Sequence, residues 1–132
     1  MPQKILIAER EETIEGTSAL ARSLTRRYSP GIEVEAASSR QDLLRRVGNS
    51  DYTAIYVGCC FDGDEGSGSG LDLVRAIRQT DRKTPVYLLG VPVCPIGQSE
   101  AVRAGATDYV SYLDRKKFRD ILTTHVKQSS DR

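Results

Sequence analysis

The sequence contains no tryptophan, one histidine, one methionine and three cysteines among 132 residues. An odd number of cysteines without metal-type spacing makes reduced thiols in a cytoplasmic protein the expectation. No apolar run approaches the ~20 residues of a membrane-spanning helix. Met1-Pro2-Gln3-Lys4-Ile5 leads directly into a strand-like segment with no signal-peptide pattern, so no membrane partner is expected. Charge of one sign is also lacking: 19 Lys and Arg face 18 Asp and Glu, a net charge of +1. The basic clusters Arg26-Arg27, Arg45-Arg46 and Arg115-Lys116-Lys117 are short and lie late in predicted helices or beside helix ends. Such positions suit a helix C-terminus or a solvated face, and no nucleic-acid partner is expected of this domain.

What is present is alternation. The run Lys4-Ile5-Leu6-Ile7-Ala8 is short, continuous and rich in β-branched residues, as a strand buried on both faces requires. Ile14, Ala21, Leu24 and Tyr28 then fall near helical spacing, and Pro30-Gly31 ends that helix. Ile32 to Ala36 alternates apolar with acidic, the pattern of a strand with one less buried face. Ser39 followed by Asp42 reads as a helix opening, with Leu43, Leu44 and Val47 as its apolar stripe.

Tyr52 to Cys59 predicts a third strand, and an acidic, glycine-rich loop from Asp62 to Gly70 follows. A helix with Leu71, Val74 and Ile77 inward comes next, then a strand over Val86 to Leu89. A short helix near Ser99 to Ala104 leads through Gly105 to a strand at Asp108 to Val110, and a last helix spans about Arg115 to Val126. Strand and helix alternate five times, which predicts one α/β domain with a parallel sheet and helices on both faces. Residues 128–132 read as a tail or the start of a linker.

Five segments in this order resemble response-regulator receiver domains. Lys4 to Glu9 is similar to their first strand, which ends in an acidic pair. Asp51 to Tyr56 resembles the third strand, whose end carries the phosphoacceptor aspartate, and Gly70 to Arg78 resembles the following helix. Thr84 to Gly90 is similar to the fourth strand with its terminal switch hydroxyl, and Ala104 to Val110 to the stretch before a Lys-Pro pair. The resemblance implies a receiver-like domain over residues 1–127. It also implies a doubly wound (βα)5 fold of the flavodoxin and CheY-like type, with strand order 2-1-3-4-5.

Receivers phosphorylate themselves on aspartate, with carboxylates holding Mg²⁺, a lysine neutralising phosphoryl oxygens and a hydroxyl sensing the product; that chemistry rests on positioning and charge neutralisation. This sequence departs from the pattern at nearly every position. The acidic pair is Glu9 and Arg10, the phosphoacceptor position falls on Tyr56 or on Val57, the switch position is Gly90, and Tyr112-Leu113 replaces the Lys-Pro pair. Arg10 either neutralises Glu9 in a fixed ion pair or points to solvent. The resemblance assigns Tyr109 to the aromatic whose rotation reports activation. With Val91 and Tyr112 it forms the candidate switch and interaction set, and without a hydroxyl at 90 it is either locked or partner-responsive.

Asp62, Asp64 and Glu65 partly match a calcium loop, but Ser67 takes the glycine position and Leu73 the bidentate glutamate position, so a solvated insertion is expected. Cys59, Cys60 and Cys94 fall after two strands and lack a fourth ligand, which makes buried small residues the expectation. His125 lies late in the last helix, a position suited to its C-terminal dipole.

The functional expectation is a degenerate receiver, a pseudo-receiver of a two-component phosphorelay pathway. It is expected to be no enzyme, to need no metal or cofactor, and to dock a histidine kinase, a regulator or an attached effector domain. The expected docking face is the fourth helix, fifth strand and fifth helix, through which a homodimer is also open. One alternative is an atypical receiver still switched by phosphorylation or by a small ligand in the vacated pocket. Another is a small flavodoxin-like enzyme, although no flavin or phosphate loop follows the first strand.

Overall fold

A computed structural model of the chain describes residues 3–8, 26, 32–49, 51–58, 69–90, 97–111, 114 and 116–121. Five strands, β1 (Gln3–Ala8), β2 (Ile32–Ala37), β3 (Ala54–Gly58), β4 (Val86–Gly90) and β5 (Asp108–Ser111), form one parallel sheet in the order β2-β1-β3-β4-β5. The described helices are α1 (Arg40–Asn49), α2 (Ser69–Thr80) and α3 (Gln98–Ala104), followed by a helical run over 116–121. Architecture and strand order are those expected from the sequence. Of the helix expected before β2, only Arg26 is described, and it is helical. The tail at 128–132 lies outside the described residues.

Alternate residues of each strand feed two cores. Leu6, Ala8, Ile55, Val57, Val86 and Leu88 face α1, α2 and α3, which contribute Leu43, Val47, Leu73, Val74, Ile77, Ala101 and Ala104. Ile5, Ile7, Tyr56, Tyr87, Leu89 and Val110 form the opposite core with Phe118 of the helical run. The central strands are therefore apolar on both sides, because each is covered twice. Full burial of side chains such as Ile5, Leu6, Ile7 and Leu88 contributes about 1.5–3 kcal/mol each, the main source of stability here. β2 is an edge strand with a mixed burial pattern, which accounts for its alternation.

Local signals behave as their chemistry dictates. The hydroxyl of Ser39 accepts the backbone N–H of Asp42 at 3.1 Å and caps α1. α2 begins at Ser69, so Ser69 and Gly70, expected in the acidic loop, instead form its first turn. The core residue of α2 missed in the sequence is Leu73, fully packed, whereas Leu71 lies at the margin of the core. α3 ends at Gly105, whose φ of 113° is left-handed. Its N–H donates to Val102 O and that of Ala106 to Ala101 O, both at 3.0 Å, a Schellman closure.

Two side-chain assemblies fasten the periphery. Glu35 on β2 accepts from Tyr52 at 2.7 Å and Arg46 at 3.0 Å, and pairs with Lys4 at 3.4 Å; Arg46 also pairs with Asp42 at 3.1 Å. On the other side Arg78 of α2 donates to three backbone carbonyls: Gly105 at 2.7 Å, Thr84 at 2.7 Å and Asp81 at 3.2 Å. One guanidinium thus joins the turn before β4 to the turn before β5. No described helix is long and apolar enough to cross a membrane.

Candidate functional site

In the strand order found here the winding reverses between β1 and β3, and ligand crevices of such sheets open beyond the C-terminal strand ends at that point. The five strands end, in spatial order, on Ala37, Ala8, Gly58, Gly90 and Ser111. All are small, none is a carboxylate, and only Ser111 bears a hydroxyl. Among the described residues no group of three His, Cys, Asp or Glu is placed to hold a metal ion. The described strand ends therefore do not fit a magnesium cage, which needs oxygen ligands. Glu9, Arg10, Val91 and Tyr112 lie outside the described residues, as do Asp62, Asp64, Glu65, Ser67, Cys59, Cys60, Cys94 and His125.

Tyr56 is placed, and it is not at the rim. It lies two residues before the end of β3, fully buried in the core beside Phe118. Its ring stacks on Tyr87 at 5.4 Å between centroids and meets Phe118 edge-on at 5.4 Å. Its hydroxyl is buried without a hydrogen-bond partner. Burial first, and the neighbouring Tyr87 second, push its ionisation far above the ordinary tyrosine range. Tyr87 is also raised, by burial and then by the charge of Asp108. Both phenols stay neutral packing groups. Val57 is equally buried, on the opposite face, so the residue at the mouth of the strand is Gly58 rather than Tyr56 or Val57.

Gly90 and Tyr109 share one site. β4 pairs with β5 so that Leu88 lies opposite Tyr109 and Gly90 opposite Ser111, which makes Gly90 and Tyr109 diagonal neighbours on one face. A Cβ added at Gly90 would overlap the Tyr109 Oη, Cε2 and Cζ atoms. The phenol therefore lies in the space a side chain at 90 would occupy, and the rest of Tyr109 packs at the margin of the core. Its backbone is held from two sides: Tyr109 N–H donates to Asp108 Oδ1 at 2.8 Å, and Lys117 Nζ donates to Tyr109 O at 2.7 Å. Asp108 in turn pairs with Lys117 at 3.3 Å and accepts from Gln98 at 2.9 Å.

No protein-family model matches the sequence, and no curated protein sequence matches it significantly. Solved structures do match. A response regulator from Thermotoga maritima is 20% identical with a TM-score of 0.68, covering 97% of each chain. The receiver domain of a sensor histidine kinase from Pseudomonas aeruginosa, with magnesium in its active-site cleft, is 20% identical with a TM-score of 0.69, over 96% of this chain and 99% of that one. NtrX from Brucella abortus, in complex with ADP, is 17% identical with a TM-score of 0.72, over 99% of this chain but 27% of that one. The fold is that of a response-regulator receiver domain. On this fold the third strand, β3, ends on Gly58.

Gly58 and Lys117 are the rim and support residues that the sequence alone did not single out. A count from Asp51-Tyr52 to the end of the apolar run was the available signal for Gly58. Lys117 sat within a basic cluster that reads as solvated, and its contact with Asp108 leaves no trace in spacing.

Proposed function

We propose that this chain is a signalling module of receiver fold that works in the cytoplasm by docking protein partners, without accepting a phosphoryl group and without enzymatic activity. The observation that supports it most directly is Gly58 at the end of β3: an acyl phosphate needs a carboxylate nucleophile there, and glycine offers none. Gly90 adds to this, since the position of a product-sensing hydroxyl is taken up by the ring of Tyr109.

A docking role needs a surface instead. α3, β5 and the run 116–121 form a contiguous face tied together by Asp108, Gln98 and Lys117. Among the described residues Val102 on α3 is the exposed large hydrophobic side chain, at 49%, with exposed Arg103, Lys116 and Arg119 in the same elements. An exposed apolar side chain on elements that carry charges of both signs, with Glu100 and Asp120 exposed as well, suits a protein partner. The partner in this reading is a histidine kinase, another regulator, an attached effector domain or a second copy of the chain.

The test is incubation with acetyl phosphate and Mg²⁺ followed by intact-mass measurement. An unchanged mass, with no release of phosphate above background, is the expected result. Stoichiometric gain of one phosphoryl group overturns the proposal.

A further inference from the structure

We propose that the outer edge of β2 is a docking strand for an extended segment of a protein partner in which cationic residues alternate with apolar ones. The site lies at the sheet edge opposite β5, so it is separate from the docking face above and stands or falls independently of it.

β2 closes the sheet on one side, and among the described residues no strand pairs with its outer edge. An edge strand carries a row of backbone N–H and C=O groups directed away from its neighbour, and an added strand bonds to these. Folded chains commonly blunt such an edge with proline, a bulge or a very short strand. β2 has none of the three. It reads Ile32-Glu33-Val34-Glu35-Ala36-Ala37 and advances one for one against Gln3 to Ala8 along its whole length. The other edge differs: β5 has four residues, and Lys117 Nζ donates to its Tyr109 carbonyl at 2.7 Å.

The side chains along the edge select the occupant, because successive residues of a strand point to opposite faces. On one face Val34 packs at the margin of the core that holds Ile32 and Phe118, and Ala36 beside it is half-buried. Apolar residues of an added strand would extend that margin. The other face carries Glu33 and Glu35. Glu35 is already satisfied by Lys4, Arg46 and Tyr52, and the cations of α1 near it, Arg45 and Arg46, are engaged by Asp42. Glu33 is exposed and has no ion pair among the described residues. A cation opposite Glu33 on the added strand supplies one.

The same charges disfavour a second copy of the chain. Two β2 strands related by a dyad pair antiparallel, and the registers of greatest overlap are centred on Val34 or on Glu35. The first sets Glu33 against Glu35 across the dyad, and the second sets Glu35 against itself. Like charges directly opposite one another in a sheet are destabilising.

The experiment titrates the full chain with a soluble peptide of alternating lysine and valine and follows backbone amide resonances. Shifts concentrated on residues 32–37, with slowed hydrogen exchange of β2 amides, are expected. The same peptide with every backbone nitrogen methylated keeps its charge but has no N–H to donate, and is expected to produce no shifts. Glu33→Lys is expected to weaken the lysine–valine peptide about fivefold and to strengthen a glutamate–valine peptide. Shifts centred on α3 and β5, equal binding of the methylated peptide, or equal binding of both peptide charges by the parent chain overturns the proposal. Sedimentation of the chain alone as a dimer whose β2 amides are already protected also overturns it, because a second copy then holds the edge.

Discussion

The Tyr52 hydroxyl donates to Glu35 Oε1 at 2.7 Å, joining the segment before β3 to the outer strand β2 across seventeen residues of chain. The bond holds the Glu35 carboxyl below its ordinary value of 4.5 against the opposing effect of burial, with Lys4 and Arg46 assisting. On the other partner, burial, then the hydrogen bond to Glu35 and its charge, push the Tyr52 phenol up to about 12. Two linked titrations follow from one contact.

Tyr52→Phe is expected to cost about 1 kcal/mol, the scale of a partly solvated hydrogen bond to a charged group. The sign of the pH dependence is set by the two shifts. Glu35 titrates lower in the folded chain than unfolded, so its contribution is whole above the ordinary 4.5 and is lost as pH falls below that value. Tyr52 titrates higher when folded, so its contribution is whole below the ordinary 10.0 and is lost as pH rises from there through about 12. Urea unfolding across both limbs checks this; Tyr52→Phe flattens both, and a variant with the slopes of the parent contradicts it.

Tyr56→Phe is expected to stabilise the chain. Its hydroxyl is buried with no partner, and an unsatisfied buried polar group costs about 1–3 kcal/mol. Phenylalanine keeps the stack on Tyr87 and the edge contact with Phe118. A rise in Tm of a few degrees is the predicted readout, and a fall shows that the hydroxyl is hydrogen-bonded in solution.

Arg78→Lys is expected to cost about 2 kcal/mol, because an ammonium cannot reproduce the planar fork that reaches three carbonyls in two separate turns. Gly105→Ala is expected to cost about 1–2 kcal/mol through its left-handed backbone, at φ 113°. The new methyl also falls 2.7 Å from Arg78 Cγ. Chemical denaturation checks Arg78→Lys directly, and that of Gly105→Ala, of Arg78→Ala and of their double variant separates the two costs at Gly105: removing Arg78 Cγ relieves the overlap but not the backbone strain. Full additivity contradicts the contact.

The architecture was readable because a strand covered on both faces and an amphipathic helix leave different periods in the sequence, and the alternation of Lys4 to Ala8, Ile32 to Ala36 and Val86 to Leu89 with helical stripes is unambiguous. The same property hid the site. β3 is apolar on both sides, so it carries no alternation that would reveal its phase, and a displacement of one or two residues between Tyr56, Val57 and Gly58 leaves the pattern unchanged. Tyr56 consequently looked like a rim residue and is a core residue. Gly90 was legible at the end of its strand, but its neighbour was not: that Tyr109 fills the space beside it depends on β4–β5 register. Arg78 reaching Gly105, 27 residues away, likewise leaves no local signature.

The Arg78 fork has a mechanical consequence. It ties the chain just before β4 and just before β5 to the same helix, while Thr107 exchanges two further bonds with Val86. Opening either strand from its start breaks a bond to Arg78 on α2, so exchange of their amides with solvent is expected to be coupled. Force at the β5 edge is accordingly shared with α2 and β4 rather than carried by a single four-residue strand.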